Sequence, residues 1–307
     1  VSGRVSAIDI GSNAIRMMIV ETPNASTRRL QVLKKFRAAV RLGHDVFTQG
    51  LITPASLETA KSTFHHYAKL NREWQVQTCR AVATSACREA RNQRAFVEEI
   101  FKSSGIKIEV IDGVQEGQFI HLAVRKELDL QGQKSMLIDI GGGSVEVTFS
   151  QGDSIVTTKS FPMGTVRILE NLKKRKLEES HLKIIMGEFL ADLGQHIYTN
   201  CDNEPPHFAI GTGGNLECLG QLKVQILERN PRSFLTLEEL NLIIEKLSPL
   251  KVKERIEKWG LRPDRADVIL PAALLVQTIM RQAETEKILI PQVGLRDGII
   301  WSLSKEP

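Results

Sequence analysis

Cysteine is scarce in this chain. Four occur in 307 residues, at positions 79, 87, 201 and 218, with no C-x-x-C spacing and no companion histidines. That pattern argues against a zinc site or a disulfide framework and fits reduced, mostly buried thiols. Long apolar runs are also missing. The longest, Val268 to Met280, contains Pro271 and Gln277 and is too short to span a bilayer. No signal peptide is visible, so a cytoplasmic protein with no membrane partner is expected. Aromatic residues make up only 5 %, and no basic patch interleaved with them marks single-stranded nucleic acid binding. Charge of one sign is not concentrated either. With 41 basic against 36 acidic residues the net charge is +5, a mild excess that helps attract a polyanion without requiring nucleic acid. What remains, 42 % hydrophobic and 25 % charged residues, is an ordinary α/β composition, and the length fits two domains.

Glycine is where the sequence becomes specific. The stretch Ser135 to Phe149 holds an apolar strand pattern at Met136–Ile138, then Asp139-Ile-Gly141-Gly142-Gly143-Ser144, then a second strand pattern from Val145 carrying Glu146. Consecutive glycines let several backbone N–H groups approach one anion. Asp139 and Glu146 flank the same turn, as a pair of carboxylates holding a divalent cation would. Near the N-terminus, Ala7-Ile-Asp9-Ile-Gly11-Ser12-Asn13 repeats the plan, with Arg16 in the slot that Glu146 fills. Two related turns predict two similar lobes facing each other across a cleft. A third turn, Gly211-Thr-Gly213-Gly214-Asn215, follows the apolar Phe208–Ile210 and precedes a helical pattern, again offering N–H groups to phosphate.

The segments between supply the scaffold. Leu30–Val40 reads as a strand, and Arg41 to Asp45 as a polar connection. Thr53 and Pro54 start a helix towards Leu70. Trp74–Val82 reads as a strand, and a helix from about Ala86 places Arg88 in its first turn, where the dipole opposes a cation but a bound phosphate would favour it. Asp112 to Gly117 is read as a turn before a helix over Gln118–Leu128, which sets Glu116 near a helix N-terminus. The polar stretch after Leu128 divides the chain, giving lobes 1–128 and 129–307, with a last helix, 295–305, able to pack back on the first lobe. The basic run Lys173–Lys176 reads as a solvated helix end. Thr236 with Glu239 marks a helix start, and Arg265 to about Glu284 reads as one long helix capped by Asp264 and bent at Pro271.

Six segments together resemble the exopolyphosphatase and guanosine pentaphosphate phosphatase (Ppx/GppA) family, within the actin, sugar-kinase and heat-shock ATPase superfamily. They are Ala7–Asn13, Ala83–Asn92, Val110–Gly117, Ile138–Glu146, Arg265–Ile269 and Gly294–Gly298, in family order. The resemblance implies a pair of ribonuclease-H-like (actin-like ATPase) α/β lobes. It implies Mg²⁺-dependent hydrolysis of the terminal phosphoanhydride of inorganic polyphosphate, or else of guanosine pentaphosphate. Glu116 would be the catalytic base, and Asp139 and Glu146 the metal ligands. Asp9, Gly11, Ser12, Asn13, Arg88, Gly141, Gly142, Gly143, Ser144, Gly211, Gly213 and Gly214 would bind phosphate. One departure from the family pattern stands beside the base: Gln115-Glu116 where many members have two acids. A sugar kinase would use the same turns for ATP; a nucleotide-binding sensor would need no water-activating base. A homodimer is allowed for, although no interface stripe distinct from core marks one.

Overall fold

The computed structural model describes residues 3–22, 30–201 and 204–303; positions 304 and 305 of the expected last helix lie outside them. The elements follow in order: β1 (Arg4–Ile10), β2 (Ile15–Glu21), β3 (Gln31–Ala38), α1 (Leu42–Gln49), α2 (Pro54–Glu73), β4 (Thr78–Ala83), α3 (Ser85–Glu89), α4 (Gln93–Ser104), β5 (Ile108–Val110) and α5 (Gly113–Glu127). Then come β6 (Lys134–Ile140), β7 (Val145–Gln151), β8 (Ser154–Phe161), α6 (Thr165–Lys174), a 3-10 turn at Glu179–His181, α7 (Leu182–Cys201), β9 (Phe208–Thr212), α8 (Gly213–Leu227), β10 (Phe234–Thr236), α9 (Leu237–Leu247), α10 (Val252–Trp259), α11 (Pro263–Ala266), α12 (Ile269–Gln282), β11 (Lys287–Leu289) and α13 (Leu295–Leu303). They gather into two compact units, Val1–Ala123 with Leu295–Pro307, and Val124–Gly294. The division falls inside α5.

Each unit has its own mixed sheet. In the first the order is β3-β2-β1-β4-β5, with β1 antiparallel to β2 and parallel to β4. In the second it is β10-β11-β9-β6-β7-β8, with β6 antiparallel to β7 and parallel to β9. An antiparallel meander continued by parallel strands on its far side is the ribonuclease-H-like topology, present twice, with β10 added at one edge. The central strands are buried over most of their length, whereas the edge strand β3 carries Lys34 and Lys35 and has no buried residue. On the first sheet α2 buries Phe64 and Tyr67 completely or nearly so, each such ring contributing about 1.5–3 kcal/mol relative to exposure.

Local signals set most of the boundaries. Thr53 caps α2, accepting from Ser56 N at 3.3 Å with Pro54 in the first turn. Thr236 and Glu239 close a reciprocal capping box at α9.

Other boundaries differ from the sequence reading. The strand expected from Trp74 begins only at Thr78, because α2 runs on to Glu73 and leaves through Gln75 at φ 52°. Residues 42–45, part of the expected polar connection, instead open α1, which runs to Gln49. The long helix expected from Arg265 is instead α11 and α12, interrupted at Asp267 and Val268. Pro271 explains the break. In one continuous helix its missing N–H would leave the carbonyl of Asp267 unpaired, and its ring would clash there. Restarting at Ile269 puts Pro271 in a first turn, where no N–H is needed. Asp264 accordingly lies inside α11 behind Pro263, and Arg262 stands at the cap.

Candidate active site

The residues chosen from sequence fall in both units, and each unit builds its own set. In the first, β1 ends at the turn Gly11–Ala14, closed by Gly11 N donating to Ala14 O at 3.1 Å. Asp9 is cross-strand partner to Arg16, whose guanidinium reaches Asp9 Oδ2 at 3.2 Å. The start of α1 holds the turn from one side: Gly43 N donates to Ser12 O at 2.8 Å, and Arg41 Nε donates to Asn13 Oδ1 at 2.8 Å. Gly43 is required, since a Cβ there would sit 2.9 Å from Ser12 Cβ and 3.0 Å from Ser12 O. From the other side Ser85 shares a 3.0 Å hydrogen bond between hydroxyls with Ser12, both buried. Arg41, Gly43 and Ser85 were not singled out in the sequence. Gly43 and the serine pair gave only weak local signals, because their partners lie far along the chain.

Arg88 lies on the short helix α3, which spans only Ser85–Glu89. It is half-buried, and one nitrogen donates to Ile111 O at 2.8 Å. That bond ties it to Ile111, two residues before α5. There, Asp112 Oδ1 accepts from Gln115 N at 2.8 Å, and Gln115 Oε1 accepts from Asp112 N at 3.1 Å. This reciprocal box starts the helix at Gly113, a turn earlier than the sequence pattern suggests. Glu116 N donates to Asp112 O at 3.0 Å. The side chains of neighbouring helical residues diverge by about 100°, so Gln115 is exposed at the cap and Glu116 is buried, 6 % accessible. The two positions thus do different work. The residue that departs from the family pattern holds the helix end, and the carboxylate sits buried in the first turn.

In the second unit Asp139 and Glu146 are direct cross-strand partners in the β6–β7 ladder. One carboxylate oxygen of each lies within 4.8 Å of the other. Glu146 is 2 % accessible and accepts from Ser160 Oγ on β8 at 2.7 Å. Thr212 Oγ1 donates to Asp139 Oδ1 at 2.9 Å. Like charges directly opposite each other on a sheet oppose folding, and this pair is held in place by hydroxyl donors rather than kept apart.

The glycine turn between the two strands is oriented by α6. Thr165 N donates to Gly141 O at 3.1 Å, Val166 N to Gly142 O at 2.8 Å and Arg167 Nε to Gly143 O at 2.8 Å. In a trans peptide the N–H points opposite to the C=O of the preceding residue. With those carbonyls committed to α6, the N–H groups of Gly142, Gly143 and Ser144 point away from it, as a row of anion donors requires. Gly164 makes this approach possible, because a Cβ there would overlap the backbone of Gly142 and Gly143. Neither Gly164 nor Arg167 was picked from sequence, although a glycine just before a helix start is a readable sign of close approach.

The third turn splits into different duties. Gly211 lies within β9, and the space beyond its Cα is filled by Leu216 and Ile288, 2.7 and 2.8 Å from where a Cβ would be; it serves packing. Gly213, at φ +79°, leaves room for Asp139, whose Oδ1 lies 2.5 Å from the Cβ position. Gly213 and Gly214 form the first turn of α8. Asn215, buried behind them, donates to Ile140 O at 2.6 Å, and its own oxygen accepts from Arg265. Asn215 and Thr212 therefore pin the third turn to the end of β6.

A model of the Ppx/GppA phosphatase family matches residues 18–306. The chain is 26 % identical over 308 aligned positions to exopolyphosphatase 1 of Mycobacterium tuberculosis, covering 97 % of this chain and 87 % of that protein. It is 24 % identical to a guanosine-5'-triphosphate,3'-diphosphate pyrophosphatase of Aliivibrio fischeri, covering 98 % of this chain and 59 % of that one. Among solved structures, an exopolyphosphatase from Cytophaga hutchinsonii superposes with a TM-score of 0.86 at 25 % identity, covering 98 % of this chain and 97 % of that chain. No helix among the described residues is long and apolar enough to cross a membrane.

Proposed function

The chain belongs to the Ppx/GppA phosphatase family, and from that premise we propose that it is an exopolyphosphatase, a hydrolase that removes orthophosphate from the end of inorganic polyphosphate. The observation that carries this reading is the paired carboxylate arrangement at the glycine turn: Asp139 opposite Glu146, beside N–H groups turned away from α6. Two acids held together next to a row of anion donors suit a divalent cation on a phosphate group better than either partner alone. Oxygen-only ligands of this kind fit Mg²⁺, which would neutralise charge on the phosphate being transferred.

In this account the N–H groups of Gly142, Gly143 and Ser144 hold the terminal phosphate, and the turn Gly11–Asn13 holds its neighbour. Asp9 keeps the first turn in register through Arg16. Arg88 grips a phosphate further along the chain. Glu116 orients a water molecule and takes its proton as the water oxygen bonds to the terminal phosphorus. The bond from that phosphorus to the bridging oxygen breaks, and the shortened chain leaves with the bridging oxygen as its new terminus. A reaction ending in water needs no acceptor pocket, which separates it from a kinase on the same fold.

The test is phosphate release measured side by side on long polyphosphate, guanosine pentaphosphate and ATP with Mg²⁺. Highest kcat/KM on long polyphosphate supports the reading. The similarity to the Aliivibrio fischeri pyrophosphatase makes guanosine pentaphosphate the second reading, and highest kcat/KM on that nucleotide would select it.

A further inference from the structure

Helix α13 crosses α5 with almost no space between their backbones. A Cβ on Gly298 would overlap the carbonyl oxygen of Phe119, and would lie 2.5 Å from its carbonyl carbon and 3.0 Å from its Cα. Contacts that close are backbone against backbone, so no side-chain rotation relieves them. Phe119 lies three residues after Glu116, on the same side of α5. The crossing is braced from the sheet. Arg80 on β4 donates to Ser302 Oγ on α13 at 3.0 Å, lies over the Phe119 ring with its guanidinium carbon 4.9 Å from the centroid, and is held flat by two-pronged bonds to Glu109 on β5. All of these residues belong to the first unit.

We infer that Gly298 and Arg80 are positioning residues that set where α5 lies on the sheet, and through it where the Glu116 carboxylate is aimed. The inference rests on Glu116 being the base proposed above. Its logic is geometric. The cap at Asp112 and Gln115 fixes the start of α5, and the Gly298 crossing fixes it one turn later. Two fixed points define the direction of the first turn, where Glu116 sits. General-base catalysis is sensitive to displacements of a fraction of an ångström to one ångström. Helix propensity by itself favours alanine over glycine in α13, so a purely local effect of Gly298→Ala would be stabilising. The crossing predicts the opposite.

The experiment compares Gly298→Ala, Arg80→Met, Glu116→Gln and the remote core variant Ile100→Val on long polyphosphate with Mg²⁺. It reads kcat, KM, melting temperature and backbone hydrogen exchange over residues 113–123. Ile100 is fully buried on α4 in a core cluster that includes no residue of α5, so its truncation destabilises the unit through other contacts. Gly298→Ala should lower kcat by about 10- to 100-fold, the order reported for such misplacement, with KM changed less than about twofold and faster exchange in α5. Arg80→Met, which adds no bulk, should lower kcat several-fold in the same pattern and keeps the test open if Gly298→Ala does not fold. Ile100→Val should lower the melting temperature and keep kcat. Parental kcat in Arg80→Met and in folded Gly298→Ala, with Glu116→Gln inactive, overturns the positioning role alone. An active Glu116→Gln overturns the assignment of the base and this inference with it.

Discussion

Asp139 and Glu146 face each other across one rung of the β6–β7 ladder, at the position where Asp9 faces Arg16 in the other unit. The same turn is built twice, with an ion pair in one copy and two acids in the other. In the first copy Arg16 neutralises its partner at 3.2 Å. In the second, the cross-strand position holds a second carboxylate, which suits the cation site proposed above.

A first prediction follows for stability as well as activity. Mg²⁺ binding to the native state should raise the melting temperature of the parent by mass action. Asp139→Asn and Glu146→Gln should each remove most of that rise. Without Mg²⁺ they should melt no lower than the parent, because each relieves a like-charge pair worth about 0.2–1 kcal/mol. Thermal melts with and without Mg²⁺ check this; equal Mg²⁺ shifts in all three proteins would remove the pair from the metal site.

Gln115 and Glu116 should separate cleanly. Glu116→Gln should lose about 10²- to 10⁴-fold in kcat with substrate affinity kept, the usual worth of a general base. Gln115→Ala should keep kcat within about twofold, since the exposed side chain makes no contact a base would need, and lose about 0.5–1 kcal/mol of stability with its half of the capping box. Steady-state kinetics and urea unfolding on the two variants decide it.

This pair also marks how far the sequence could be read. The strands around both Asp-Ile-Gly turns, the twofold lobe plan and the caps at Thr53 and Thr236 are local patterns, and periodicity with turn chemistry was enough to find them. Gln115 could be seen only as a departure from a pattern. Its job depends on Asp112 accepting in return, and the apolar periodicity starts the helix a turn too late to show that. Asn215, Gly164 and Gly43 act through partners tens of residues away, which no local pattern encodes. The break before Ile269 was legible in principle, since Pro271 tolerates a first turn and not a helix interior. The apolar run through it masked the signal.

Gly213 offers a third test. At φ +79° a non-glycine residue is strained by about 1–3 kcal/mol, and a methyl group there would push on Asp139 Oδ1. Gly213→Ala should therefore weaken Mg²⁺ activation, raising the Mg²⁺ concentration for half-maximal rate, in addition to lowering the melting temperature. Gly105→Ala strains the backbone in a similar way at φ +72°, with nothing within 4 Å of its Cβ position. It should lower the melting temperature and leave the Mg²⁺ titration unchanged. Mg²⁺ titrations that coincide for the two variants would detach Gly213 from Asp139.

Alkaline pH gives a fourth. Burial pushes the Cys87 thiol from 9.0 up to about 12, and burial likewise raises Tyr67 from 10.0 to about 12 despite nearby arginines. A folded state that holds its protons more tightly than the unfolded chain is favoured below the unfolded values, and that advantage is lost as pH rises through the folded ones. These two groups add no pH dependence below about pH 9, and their contribution to stability should fall from there towards pH 12. Cys87→Ala should flatten the start of that fall. Native Cys87 should also resist thiol reagents at pH 8, because the reactive species is the thiolate. Labelling of Cys87 in the native protein as fast as in urea would contradict its burial.

If water attacks the end of a phosphoanhydride chain, its oxygen is carried into the released orthophosphate. Long polyphosphate is turned over with Mg²⁺ in water enriched in oxygen-18, and the released orthophosphate is examined by mass spectrometry while chain length is followed on gels. The account predicts orthophosphate carrying one solvent oxygen per turnover, chains shortened from their ends, and loss of both signals in Glu116→Gln. Orthophosphate without solvent oxygen, or phosphate appearing on an added nucleotide or sugar instead, would contradict it.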